Sequence, residues 1–299
     1  MMDAPSPFCI AITGATGFLG RRVLSLVLKR GLRCRALVRA GAALEQHSEA
    51  VTAVRGDLRH PATLETLVRG ADAVIHAAAA MGTSDEALLR EVNERGSRLL
   101  AEAAAQAGVA RFVYVSSMAA RRPEDGPYAA SKAAGEQALA GFPGTCAILQ
   151  PPLIYGPGGQ ATQAIARLSR LGVVPVIGSS AALYPVHVDD VAAACVAAAT
   201  RADLVGGVFT LPGPEGIAFP EFTRAVLRAL GSKARLAPLP GALSRVLAGA
   251  MEKAMGQPLL TREGVRAVRR GSATADFSAA AEALGFAPRD LEAGLATLR

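Results

Sequence analysis

Residues 8–39 read FCIAITGATGFLGRRVLSLVLKRGLRCRALVR, and the fold follows from this stretch. Phe8 to Thr13 is an apolar run of a length that suits one buried strand. Gly14, Gly17 and Gly20 come next at even spacing, and Phe18 to Leu28 carries the apolar period of a helix. Gly31 stops that helix, and Cys34 to Val38 supplies a second strand. Strand, glycine turn, helix and strand within about thirty residues form a dinucleotide-binding unit. Gly14 permits the tight turn, Gly17 admits a pyrophosphate close to the backbone, and Gly20 lets the helix pack on the strand.

The chain has 299 residues and is 51% hydrophobic, which suffices for a large core with a smaller lobe. Its 32 Lys and Arg against 25 Asp and Glu give a net charge of +7, which suits an anionic ligand or surface. Aromatic residues make up only 4% and Trp is absent, so the platforms that stack single-stranded nucleic acid are poorly supplied; no nucleic-acid partner is expected. Cys9, Cys34, Cys146 and Cys195 lack metal-ligand spacing and mostly sit in apolar runs, reading as buried free thiols in a reducing compartment, with no metal site. The opening MMDAPSP has neither the basic nor the apolar region of a signal peptide, and Val191 to Ala199 is too short to span a membrane. A soluble, cytoplasmic protein is expected.

Further strands are expected at Val51 to Val54, Ala73 to Ala79, Arg111 to Ser117 and Thr145 to Leu149. Helices are expected at Pro61 to Val68, Asp85 to Ala107 and Tyr128 to Leu139. This alternation predicts an α/β protein with a doubly wound parallel sheet over residues 1–154. From Tyr155 the texture changes: helices are expected at Gln160 to Leu171 and Asp189 to Ala199, and strands at Val173 to Ile177 and Val208 to Leu211. Residues 155–299 therefore read mainly as a substrate-binding lobe, with about 181–215 returning to the sheet. Past Pro220 the pattern is helical and basic.

Two signals carry chemistry. The second strand ends in Val38-Arg39 with no acid until Glu45, where an Asp or Glu would bind the ribose of NAD. Arg39 suits the 2′-phosphate of NADP(H), which is favoured over NAD(H); the plain alternative is a solvated surface arginine. The second signal is Tyr128-Ala129-Ala130-Ser131-Lys132, whose tyrosine and lysine share one helix face. A free tyrosine titrates near pH ~10, and a neighbouring ammonium with an oxidised nicotinamide is expected to lower that value. Ser116-Ser117 ends the fifth strand, at the carboxyl edge where open parallel sheets place ligands.

Together these motifs resemble the short-chain dehydrogenase/reductases, specifically the extended or atypical branch of NAD(P)-dependent epimerases, dehydratases and hydroxysteroid-dehydrogenase-like reductases. The resemblance runs almost end to end and implies a Rossmann fold. It makes Gly14, Thr16, Gly17, Phe18 and Leu19 the nucleotide turn, and Asp57 with Leu58 the segment at the adenine ring. His76 to Ala79 resembles the fourth-strand motif, putting Ala77 and Ala78 along the cofactor. Asn93 resembles the asparagine that supports a proton-relay water. Leu149 to Gly158 resembles the segment whose backbone meets the carboxamide, through Pro151 and Ile154; His187 to Val191 is a further landmark. By the same resemblance Tyr128 is the acid/base, Lys132 its partner and ribose ligand, and Ser117 the oxygen-binding hydroxyl, with Ser116 the alternative.

Two departures bear on substrate. Gln150 stands where the family motif usually begins with arginine, and Leu153 where nucleotide-sugar members commonly carry asparagine. An apolar residue there removes a hydrogen bond to a sugar diphosphate, and the segment between Ser117 and Tyr128 is short. Leu243, Val246, Leu247, Ala250, Met251 and Ala254 recur at helical spacing beside Arg245 and Lys253. That stripe suits packing on the small lobe or a second subunit, or else a membrane-surface or substrate-entry helix. The helices from Asp85 and Tyr128 resemble the family's dimerising pair, so a homodimer is an expectation.

The leading reading is an NADP(H)-dependent oxidoreductase acting on a hydroxyl/carbonyl pair of a small or apolar substrate. The alternatives are a nucleotide-sugar epimerase or dehydratase and a cofactor-binding regulatory or assembly protein without turnover.

Overall fold

Strand β1 (Cys9–Thr13) is buried at every position, as a strand covered on both sheet faces must be. The computed structural model describes residues 8–46, 48–254, 260–272 and 276–298, so the opening MMDAPSP and the side chain of Ala254 lie outside the described residues. Beside β1 stand β2 (Arg33–Val38), β3 (Val51–Arg55), β4 (Ala73–His76), β5 (Arg111–Val115) and β6 (Thr145–Gln150). Beyond them come the short β7 (Ile154–Tyr155), β8 (Val173–Ile177), β9 (Ala182–Leu183), β10 (Val186–His187), β11 (Gly207–Thr210), β12 (Ile217–Ala218) and β13 (Arg235–Leu239). The main sheet is parallel throughout, in the order β11-β6-β5-β4-β1-β2-β3, with Ile12 of β1 paired to Ile75 of β4 and Ala36 of β2. The strand order reverses direction between β1 and β4, which opens a crevice at their carboxyl ends.

Helices cover both faces. On one lie α1 (Phe18–Lys29) and α7 (Val188–Thr200), whose Val23, Val27, Val191 and Cys195 share a core with Ile10, Ile12 and Ile75. On the other lie α2 (Pro61–Val68) and α4 (Gly96–Gln106), which bury Leu64, Leu67, Leu100 and Ala104 against Val74 and Phe112. A separate core gathers Tyr155, Ile165, Val174, Phe222 and Leu295 around α6 (Gln160–Ser169), α8 (Phe219–Ala229) and α12 (Leu291–Ala296). Between β4 and β5 the chain runs through α3 (Glu86–Leu89), a wider π-helical stretch Arg90–Arg95, and α4. The remaining helices are α5 (Pro127–Gln137), α9 (Gly241–Ala254), α10 (Arg262–Arg270) and α11 (Ser278–Leu284).

Several boundaries differ from the sequence expectation for local reasons. β4 stops at His76, not Ala79: Ala77 N donates to Thr13 O at 3.2 Å, and the chain then bends past the glycine turn. β5 stops at Val115, because Ser117 caps the next short turn by accepting from Ala119 N at 3.2 Å. Asp85 caps the long helix by accepting from Leu88 N at 3.0 Å, but the π-helical stretch interrupts it. β13 lies in the stretch read as helical, paired in parallel with β8.

The apolar stripe of α9 does not pack on the small lobe. Leu243, Val246 and Leu247 face solvent, at 51%, 71% and 41% exposure, while Ser244 and Ala248 are buried. Small residues face inward because α10 approaches closely: a Cβ on Gly249 would lie 2.6 Å from Arg262 Nε. All four cysteines are free, and among the described residues no helix is long and apolar enough to cross a membrane.

Candidate active site

The glycine turn forms one wall of the crevice. Gly14 has φ +75°, and a Cβ there would lie 2.7 Å from Ala78 N and 2.8 Å from the Ala77 carbonyl carbon. Only a glycine lets this turn rest against the exit of β4. Gly17 N donates to Gly14 O at 2.8 Å, and Gly17 starts α1 with no side-chain cap and no acid in the first turn. The leading amides of α1, around Phe18 and Leu19, are thereby left for an anion, which the helix dipole also favours. Leu19 sends its side chain into the core, while half-buried Phe18 sits against the Gly158-Gly159 loop. Thr16 O accepts from Arg21 Nε at 2.8 Å, which ties down the turn.

Arg39 is exposed just past β2. Among the described residues no carboxylate pairs with it, and Glu45 pairs with Arg21 instead. Gly56 N donates to Val38 O at 3.1 Å, which brings Asp57 beside the end of β2. The Arg59 guanidinium bonds the Asp57 carboxylate at 2.8 Å and holds its pKa below the usual range. Leu58 is buried, against Gly96 at the start of α4. Its side chain is core, so only its backbone is available to a cofactor.

A buried hydrogen-bonded chain runs beneath the crevice. Thr13 Oγ1 meets His76 Nδ1 at 2.6 Å, His76 Nε2 meets Ser97 Oγ at 3.0 Å, and Ser97 Oγ donates to Asn93 O at 2.6 Å. Burial drives the His76 pKa down to about 3, so the ring is neutral. Asn93 sits in the π-helical stretch, a feature frequent at functional sites. Its side chain clasps the backbone of Ala80 (2.7 and 2.9 Å) and donates to Ser131 Oγ at 2.9 Å. Ser131 in turn donates to Tyr128 O at 2.8 Å, so Asn93 ties the exit of β4 to helix α5.

The opposite wall holds the hydroxyls. Burial pushes the Tyr128 phenol up to about 12; half-buried Ser117 beside it lowers the value and the Glu263 carboxylate raises it. The expected lowering by Lys132 is absent. Lys132 is buried, donates to Val115 O at 2.9 Å and lies 4.0 Å over the Tyr114 ring. Burial brings its ammonium down to about 7, against an opposing pull from Glu136. Ser116 turns away: its hydroxyl donates to Glu136 Oε1, which also accepts from Gln150 Nε2 at 2.8 Å. Gln150, the departure from the family motif, thus completes a polar cluster behind the lysine. Pro151 is buried, its carbonyl accepting from Met118 N at 3.0 Å, and half-buried Ile154 follows in β7.

The parallel sheet brings Gly14, Gly17, Ala77, Ala78, Ser117, Tyr128, Lys132 and Pro151 to one edge, with Arg39 and Asp57 at its β2 end. Sequence reasoning missed Ser97, Ser131, Glu136 and Glu263. Glu136, four residues past Lys132 on the same helix face, could have been found by spacing. Glu263 left no local signal. Among the described residues no group of three His, Cys, Asp or Glu could hold a metal.

A glycine cradle that a Cβ would fill, an open helix start and a serine–tyrosine pair at one sheet edge fit a dinucleotide beside a reacting oxygen. Fold and crevice are those of the NAD(P)-dependent enzymes of the short-chain dehydrogenase/reductase type. The chain belongs to the NAD dependent epimerase/dehydratase family, whose pattern matches residues 10–211. It is 39% identical over 234 residues to a ceramide reductase of Caulobacter vibrioides, covering 77% of this chain and 73% of that one. It is 29% identical to a 4-hydroxy-2-methyl-3-oxo-4-farnesyl-3,4-dihydroquinoline-1-oxide ketoreductase of Stigmatella aurantiaca, covering 79% and 78%. Among solved structures, MoeE5 in complex with UDP-glucose and NAD has the same fold, with a TM-score of 0.78 at 24% identity and 97% of each chain covered.

Proposed function

We propose that the protein is an NADP(H)-dependent oxidoreductase that interconverts a hydroxyl and a carbonyl on a small or apolar substrate. The observation that carries this reading is the Gly14–Gly17 turn, pressed against the exit of β4, at the same sheet edge as Ser117 and the helix bearing Tyr128 and Lys132. The bound nicotinamide would supply or accept the hydride. Tyr128 donates or takes the proton at the substrate oxygen, and Ser117 with Tyr128 stabilises developing negative charge there. Lys132 would orient the ribose of the bound cofactor. Arg39, free of a carboxylate partner among the described residues, supports a 2′-phosphate.

Half-buried Leu153 and the short segment before Tyr128 favour an apolar substrate over a sugar diphosphate. The relatives named for ceramide and a farnesylated quinoline oxide point the same way. The solvent-facing Leu243, Val246 and Leu247 beside Arg245 support peripheral contact with a membrane or partner. We assign substrate binding mainly to residues 155–299, and a homodimer through α4 and α5 remains part of the proposal.

The test is titration with NADPH and NADH, then cofactor oxidation on a panel of ketones and aldehydes, long-chain ones included. NADPH binding that weakens at least about tenfold in Arg39→Ala, with turnover lost in Tyr128→Phe, is the expected result. Preference for NADH would remove the role of Arg39. Binding without net oxidation would favour an epimerase, and a Tyr128→Phe variant with full biological effect a non-catalytic protein.

A further inference from the structure

Helix α5 carries Tyr128 and Lys132 yet begins without a cap of its own. Gly126 offers no side chain at the N-cap, and Pro127 has no N–H. The first donors are the amides of Tyr128 and Ala129, and both reach one carboxylate from the far end of the chain. Tyr128 N donates to Glu263 Oε2 at 3.1 Å, and Ala129 N to Glu263 Oε1 at 2.8 Å. Glu263 stands in the first turn of α10, itself capped by Thr261 Oγ1, which accepts from Gly264 N at 2.9 Å. A Cβ on Gly126 would lie 2.5 Å from Glu263 Oε2, so glycine leaves room for the carboxylate. Two turns along the same face of α10, Arg270 pairs with Asp125 at 2.6 Å. The C-terminal segment is thus clasped at two points to the start of the helix that bears Tyr128.

We propose that Glu263 is a positioning residue of the acid–base site, a capping carboxylate that fixes the first turn of α5 and so sets Tyr128 against Ser117. The proposal rests on the reading of Tyr128 as the proton-transfer group. A carboxylate at these two amides offsets the positive end of α5, which would otherwise favour tyrosinate. Glu263 thereby adds to the effect of burial in holding the phenol protonated, the form that donates a proton when a carbonyl is reduced by hydride from NADPH. The other charged groups around this turn are Lys132 and Glu136 further along α5, the Asp125–Arg270 pair, and Arg266 beside Glu263. None of them meets the Tyr128 and Ala129 amides.

Glu263→Gln and Glu263→Ala in the full chain test this. Glutamine keeps an acceptor oxygen and loses the charge; alanine loses both. Tyrosinate absorbance is followed against pH in the NADP+ complex, with Tyr128→Phe subtracted as the blank. In Glu263→Gln, Tyr128 is expected to ionise about one pH unit lower, with NADP+ affinity within about twofold of wild type. In Glu263→Ala, kcat is expected to fall at least about tenfold with KM for NADPH unchanged, as displacement of a reacting group requires. Wild-type Tyr128 titration in a folded Glu263→Gln variant would overturn the proposal and leave Glu263 a structural clasp. The titration needs no substrate, so a failure to reduce any ketone would sink the reductase reading while this readout still decides the role of Glu263.

Discussion

His76 should make the protein acid-sensitive in a way one substitution removes. The ring is fully buried, with both nitrogens engaged by Thr13 and Ser97, and burial lowers its pKa from 6.5 to about 3. The native state refuses a proton that the unfolded chain accepts. The histidine's contribution is therefore intact above pH ~6.5 and is lost as the pH falls toward about 3. The loss approaches about 1.4 kcal/mol per pH unit below pH ~6.5 and comes to roughly 2.3 kcal/mol between pH ~6.5 and ~4.5. His76→Asn keeps a hydrogen-bonding side chain that does not titrate. Urea unfolding of both proteins across that range measures the slopes, and subtraction removes the carboxylates common to both. A wild-type slope steeper by about 1 kcal/mol per pH unit or more is expected. Parallel curves would refute the reasoning, because they would mean the ring takes up a proton in the native state without cost.

Two further outcomes follow from the geometry. Gly14→Ala forces a left-handed backbone and drives a Cβ into the Ala77–Ala78 backbone. NADPH affinity measured by fluorescence should fall at least about tenfold, alongside a stability cost of ~1–2 kcal/mol for the left-handed backbone. Arg289 bonds the buried Asp190 carboxylate through Nε and Nη2 at 2.9 and 2.7 Å and straps the C-terminal segment to α7. Arg289 is about a third exposed, so Arg289→Ala should cost about 1–3 kcal/mol in denaturant unfolding, less than a fully buried pair.

The sequence by itself determined the α/β alternation, the glycine turn and the family, because these depend on short-range pattern. A strand buried on both faces reads as an unbroken apolar run, and a turn that only glycine can make leaves glycine at that spot. Tyr128 and Lys132 were legible for the same reason: helix geometry alone puts residues four apart on one face. The tertiary structure decided what depends on contacts between distant segments. It turned the Ser116 hydroxyl onto Glu136, which Gln150 also reaches. It turned the apolar stripe of α9 outward, because close packing against Arg262 of α10 favours small residues on the inner face. It also capped the Tyr128 helix with Glu263, 135 residues later in the chain. No periodicity marks such a residue: a lone glutamate in a basic helix acquires its role only when folding brings two unpaired amides within reach of its oxygens.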